Sequence, residues 1–228
     1  MKKIHQNLII GALILLAISF IVVWAIEVGQ KQAKVTIPNI QTVYTVADFP
    51  DSERDAENAQ TYIDRLNTDQ KTLIESTYES ESQHYDLWID IANIKFTLMD
   101  LEGAVEAWEY AIVINDASPL AYANLANYYK SFARDYEQAI YYYDQTISRD
   151  NIGYFFDYQA YAELYINYLP EDSNKAEIIM LDGVEKAQGM QKLDFYSFLY
   201  NYFGEKENQN KIDFYKNEIL EIDPNYEF

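Results

Sequence analysis

Residues 88–111 read WIDIANIKFTLMDLEGAVEAWEYA, and residues 122–146 read YANLANYYKSFARDYEQAIYYYDQT. Laid side by side, Trp88, Ile91, Ala92, Lys95, Leu101, Ala104, Trp108 and Ala111 match Tyr122, Leu125, Ala126, Tyr129, Tyr136, Ala139, Tyr143 and Thr146. Each copy holds two apolar stripes at i, i+3, i+4, i+7 spacing. A polar corner separates them, Met99-Asp100-Leu101 in the first and Arg134-Asp135-Tyr136 in the second, where one extra residue stands. The period is that of a helix with one buried stripe, so each copy predicts a helix, a turn and a second helix. Small residues at Ala104 and Ala139 allow the two helices of a pair to approach closely where they cross.

Two looser copies follow. Tyr158, Tyr161, Ala162, Tyr165, Ala176, Met180 and Gly183 form the third; Tyr196, Leu199, Tyr200, Phe203, Ile212, Ile219 and Pro224 form the fourth. The crossing position falls at residues 104, 139, 176 and 212, a recurrence of about 35 residues that predicts stacked units sharing one core. A single such unit buries too little apolar surface to offset its own ordering. Most of the 22 tyrosines are expected to be core or groove wall, because they sit at helical spacing.

Over roughly residues 85 to 225 this pattern resembles the tetratricopeptide repeat (TPR). It has the early aromatic and Leu, the small crossing residue, the later aromatic and the closing Pro224. It departs from the family at Lys95, at Thr146 and in the longer second corner. The resemblance implies an all-α fold, a right-handed superhelical α-solenoid of about four hairpins whose first helices line a concave groove. Carrying the family's groove position over one residue at a time gives Asn93, Asn127, Glu163 and Asn201. Three of the four are Asn, whose amide both donates and accepts toward an extended peptide backbone. An Asn on a helix surface that bonds only its neighbours is the competing reading of the same residues. Ile89, Phe96, Asn124 and Gln159 are the neighbouring groove candidates, with Lys130, Ile166, Ser197 and Phe198 beside them. The basic pair with which some family members clamp a terminal carboxylate is missing, since Ile89 and Thr97, then Ala123 and Ser131, occupy those places.

At the other end, residues 8–26 form a 19-residue run whose only hydroxyl is Ser19. At 1.5 Å per residue it extends about 28 Å, close to the hydrocarbon thickness of a bilayer, and predicts a transmembrane helix. Lys2 and Lys3 precede it, while Lys31 and Lys34 follow it with Glu27 offsetting them, which favours a cytoplasmic N-terminus and a repeat domain in the periplasm or outside the cell. A cleaved signal peptide shares these features. The run exceeds a usual signal core, and neither Ala25-Ile26-Glu27 nor Val28-Gly29-Gln30 makes a small-x-small site.

The expected organisation is therefore a tip and transmembrane helix over residues 1–28, an extended linker over 29–50, a helical cap over 51–84 and the repeats over 85–228. Pro38, Pro50 and the β-branched Val43, Thr45 and Val46 support the linker, with a short strand as one form of it. In the cap, Asp51-Ser52-Glu53 predicts a helix start. Ala56, Ala59, Tyr62, Ile63 and Leu66 give a stripe that Asn67-Thr68-Asp69 is expected to end, and Leu73, Ile74, Thr77 and Tyr78 predict a second helix. After Pro224 the short aromatic end, with Tyr226 and Phe228, either covers the last hairpin or stays free.

Charge narrows the partners. From residue 35 onward 13 Lys and Arg face 36 Asp and Glu, a formal charge of −23. That repels nucleic acid and anionic headgroups and favours neutral or basic protein segments. With no cysteine there is neither a disulfide nor a thiolate metal site, and no cofactor or metal is expected. Phosphate loops, a Gly-x-Ser-x-Gly elbow and His-Glu-x-x-His are all missing. His5 and His84 fall on opposite sides of the expected membrane, and although Asp86, Asp90 and Glu163 beside aromatics could suggest a helical glycosidase, the chain is too short to supply the helices of a closed double-helical barrel. The expected function is a non-catalytic, membrane-anchored adaptor that binds a protein or extended peptide. A holdase for exported chains and a self-assembling surface subunit are the alternatives.

Overall fold

In the computed structural model, Pro38 and residues 43–50, 56–75 and 81–228 are described. The expected transmembrane helix, the cap's Asp51-Ser52-Glu53 start and Thr77 and Tyr78 lie outside the described residues. The chain divides into two units, residues 1–39 and 40–228, and the second holds all the described helices. Among its described residues there are nine α-helices and no strand: α1 (Ala56–Glu75), α2 (Glu81–Thr97), α3 (Leu101–Ile114), α4 (Leu120–Tyr128), α5 (Tyr136–Arg149), α6 (Phe155–Tyr168), α7 (Lys175–Lys186), α8 (Lys192–Glu205) and α9 (Gln209–Ile222). No described helix is long and apolar enough to cross a membrane.

Contact is heaviest within α2–α3, α4–α5, α6–α7 and α8–α9, the four pairs expected from the repeat, and lighter between successive pairs. Ala104, Ala139 and Ala176 are fully buried at the crossings, while Ile212 in the last pair is only half-buried. The core forms two clusters that meet in α4, where Leu125 belongs to one and Ala126 to the next. One helix thus contributes to both, which is how a unit too small to bury its own face is stabilised by its neighbour.

The corners repeat as well. Asp100, Asp135 and Asn208 each cap a second helix, their side-chain oxygens accepting from the backbone N–H of Gly103, Gln138 and Lys211 at 3.0, 3.1 and 3.3 Å. Before them, Met99, Arg134 and Glu207 adopt left-handed conformations that reverse the chain. In the first and fourth corners the cap residue's N–H bonds back five residues, Asp100 to Lys95 and Asn208 to Phe203. In the second it bonds back six, Asp135 to Tyr129. The extra residue is absorbed there by a π-helical turn over Tyr129–Ala133.

The two side-chain departures from the repeat pattern, Thr146 and Lys95, also have a local cause. Thr146 is completely buried and donates its hydroxyl to the Tyr142 carbonyl at 2.9 Å, so it packs as a small residue without an orphaned polar group. Lys95 pairs with Asp100 at 2.8 Å and holds the cap carboxylate in place.

Two expectations about the front of the chain are corrected. Asn67-Thr68-Asp69 does not end a helix, because α1 runs unbroken from Ala56 to Glu75. Asn67 directs its amide away from the helix, accepting from Tyr44 N at 2.6 Å and donating to Tyr44 O at 3.0 Å. Thr68 and Thr72 bond the carbonyls four residues back. Side chains that would compete with the helix backbone have partners that leave it intact. Among the described residues of the linker, Val43, Thr45 and Val46 form no strand, and Val46–Asp48 is a 3-10 turn.

Candidate functional site

Asn93 lies exposed on α2, and its Oδ1 accepts from Trp108 Nε1 at 3.1 Å and from Asn124 Nδ2 at 3.2 Å. One repeat later Asn127 does the same. Its Oδ1 accepts from the Tyr143 hydroxyl at 2.8 Å, and its Nδ2 donates to the Ala123 carbonyl at 3.0 Å. Trp108 and Tyr143 are core residues of the second helices, buried to 3% and 0% exposure. A buried aromatic with a polar tip requires a partner for that tip, and the first-helix amide provides it. In the third pair the matching second-helix residue is Met180, which has no N–H or O–H to give, and Glu163 instead accepts from Gln159 Nε2 at 2.8 Å. In the fourth pair Lys216 stands there, and Asn201 is exposed with no side-chain hydrogen bond among the described residues.

Two clefts open on the side of the first helices. One, of about 170 Å³, lies between α2 and α4 and brings together Asn93, Phe96, Asn124 and Asn127 of the expected groove, with Tyr128 and Phe132. Phe96 stands edge-on to Phe132, with ring centres 4.8 Å apart. The other, of about 410 Å³, lies between α6 and α8. Asn201, Ser197 and Phe198 line it, joined by Phe155, Leu193 and Met190. Ile89 is not part of either surface. It is 5% exposed and belongs to the cluster that α1 and α2 share, so its place in the expected groove is corrected to the core.

Between the clefts, Lys130 reaches from the end of the second pair's first helix to the Ala160 carbonyl of α6 at 3.3 Å and lies 5.6 Å from the centre of the Tyr143 ring. Burial lowers its pKa, and the nearby Glu163 opposes that shift. Tyr161 stacks on Tyr143 at 5.0 Å and donates to Asp144 at 2.7 Å, joining the second pair to the third. Similarly, the Tyr85 hydroxyl donates to Ser118 at 2.8 Å and Tyr202 donates to the Ser173 carbonyl at 3.1 Å. These tyrosines join successive hairpins rather than face a ligand.

No protein-family model and no curated protein matches the chain.

Of the carboxylates weighed as chemistry, Asp90 pairs with Arg65 at 3.0 Å and Glu163 is held by Gln159. Among the described residues no group of three or more His, Asp or Glu is placed to hold a metal ion. A strongly perturbed carboxyl lies elsewhere. Burial, with the neighbouring Asp150 adding to it, pushes Asp157 on α6 up to about 6. Asp150 is itself buried, accepting from Ile152 N at 2.9 Å and Tyr154 N at 2.6 Å, and it shapes the turn that leads into α6. Gly153 completes that turn at φ +68°, where an added Cβ would meet the Gly183 carbonyl oxygen at 2.8 Å.

The pairing of the first two groove Asn residues with an aromatic 15 or 16 residues later was a signal available in the sequence. It reads Asn93 with Trp108 and Asn127 with Tyr143, and it lapses where Met180 stands. Met190 and Leu193 lacked such a signal, because they enter the second cleft from the loop and the first turn beside α8 rather than from the repeat's groove positions.

Proposed function

We propose that the chain is a non-catalytic, membrane-anchored scaffold. Its four TPR-like hairpins form a right-handed solenoid, and their first-helix face holds a partner polypeptide outside the cytoplasmic membrane. The observation that carries this reading is the pair of clefts between first helices, walled by aromatic rings and rimmed by amides, which suits an extended segment with apolar side chains. A formal charge of −23 from residue 35 onward favours a neutral or basic partner. The apolar run over residues 8–26 supports the anchor.

Crosslinking the full chain in its native membrane tests the reading. Asn201→Ala and Asn93→Asp are the informative variants, because aspartate keeps the acceptor that Trp108 needs while removing the amide donor. One stoichiometric partner, captured at least fivefold less by the double variant at unchanged melting temperature, is the expected result. A diffuse set of exported chains would replace the scaffold with a holdase. Self-crosslinks alone would replace it with a structural subunit.

A further inference from the structure

The second cleft already has a polypeptide at its edge. After α9 the residues 224–228, PNYEF, turn back: Asn225 N donates to Asp223 Oδ1 at 3.0 Å and Tyr226 N to the Asp223 carbonyl at 3.1 Å. The turn brings Tyr226 against α8, where its hydroxyl lies 2.9 Å from Ser197 Oγ and its side chain forms part of the cleft wall. Two residues on, the Phe228 ring is centred 5.0 Å from that of Tyr200 and 5.1 Å from that of Tyr226, with Lys216 Nζ 4.8 Å away. The hold is shallow. Phe228 is 51% exposed, and among the described residues no backbone hydrogen bond joins residues 227–228 to the helices.

A contact made of one side-chain hydrogen bond and ring edges persists here because the chain supplies it at high local concentration. The same contacts state what the surface accepts. Side chains at i and i+2 of an extended segment project to one side, which is the spacing of Tyr226 and Phe228. Beside Tyr226 the cleft of about 410 Å³, walled by Phe155, Leu193 and Phe198, leaves room for a further aromatic ring.

We infer that residues 224–228 are a displaceable strap on the α8 side of the α6–α8 cleft, with Tyr226 in its wall and Phe228 beside it on Tyr200. The partner segment that replaces them carries two aromatic side chains two residues apart, the first with a hydroxyl that reaches Ser197. This inference rests on the scaffold reading and gives it both a recognition chemistry and a latch.

The test uses the full chain and a fluorescein-labelled peptide of residues 222–228, IDPNYEF, with IDPNAEA as control, followed by anisotropy. The peptide should bind Tyr226→Ala/Phe228→Ala at least tenfold tighter than the wild-type chain, because the cis competitor is gone, and the control should bind neither. Adding Ser197→Ala should weaken that binding about fivefold, the loss of one hydrogen bond. Equal binding to variant and wild type, or equal binding of the control peptide, overturns the inference. A second measurement does not depend on the variant folding. Excess unlabelled peptide should move the Tyr226 and Phe228 ring resonances of the wild-type chain to those of a solvated, unpacked segment, and unmoved resonances at saturation overturn the inference. If the peptide binds as expected but crosslinking captures no partner, the latch stands and the scaffold falls. If wild type and the Tyr226→Ala/Phe228→Ala chain capture a partner equally, the scaffold stands and the latch falls.

Discussion

In the first two hairpins the groove amides are tied down, Asn93 to Trp108 and Asn127 to Tyr143, and the cleft between them is about 170 Å³. In the last two, Glu163 turns to Gln159, Asn201 has no such bond, and the cleft is about 410 Å³. The difference follows from one second-helix position. Where it holds a Trp or Tyr, a buried N–H or O–H draws the first-helix amide onto itself; where it holds Met180 or Lys216, the amide position is released. The same register of the repeat therefore supports the core in one half and is released from it in the other.

The tied half of the molecule depends on its buried second-helix aromatic. Tyr143→Ala should cost about 3–5 kcal/mol in urea denaturation, since the ring is fully buried and stacked. Tyr143→Phe should cost about 1 kcal/mol, the net worth of the bond to Asn127. Asn201→Ala should leave stability within about 0.5 kcal/mol of wild type, because its amide bonds nothing described. Equal losses for Tyr143→Phe and Asn201→Ala would show that the two halves do not differ.

Packing in the third and fourth hairpins gives a second, smaller contrast. Gly183 on α7 faces the buried Phe195 ring, and an added Cβ would stand 2.1 Å from it. Gly183→Ala should therefore destabilise by about 1–3 kcal/mol. Gly204 near the end of α8 has nothing within 4 Å of an added Cβ, and Gly204→Ala should stabilise by about 0.5–1 kcal/mol through helix propensity.

Asp157 makes the entry to α6 sensitive to pH. Its folded-state pKa is raised to about 6 from 3.8, so the folded chain holds this proton more tightly than the unfolded one. Stability from this group is then highest at low pH, falls as pH rises from about 4 to 6, and stays lower above that. Asp157→Asn should be more stable than wild type by about 1–2 kcal/mol at pH 7, allowing for partial exposure, and the gain should vanish near pH 4. A constant difference across that range would assign the effect to packing instead of ionisation.

The helical pairs were legible because their stripes keep one period and their crossings keep one small residue, a pattern carried by Ala104, Ala139 and Ala176. Asn67-Thr68-Asp69 misled because composition does not say where a polar side chain finds its partner, and Tyr44, far along the chain, takes the Asn67 amide. Ile89 misled for a related reason. A groove position is exposed only where no preceding element covers it, and α1 packs on α2.

By itself the sequence determined that the described chain is all-helical, that it pairs as four hairpins at intervals of about 35 residues, and that it is strongly acidic. Those properties follow from local periodicity and from counting, and they need no partner in space. Tertiary structure decided which amides were free, how a corner with one residue too many closes through a π-turn, and that the aromatic end lies on α8. Each of those depends on whether a particular donor or ring meets a particular acceptor or face, and that is fixed only when distant segments pack.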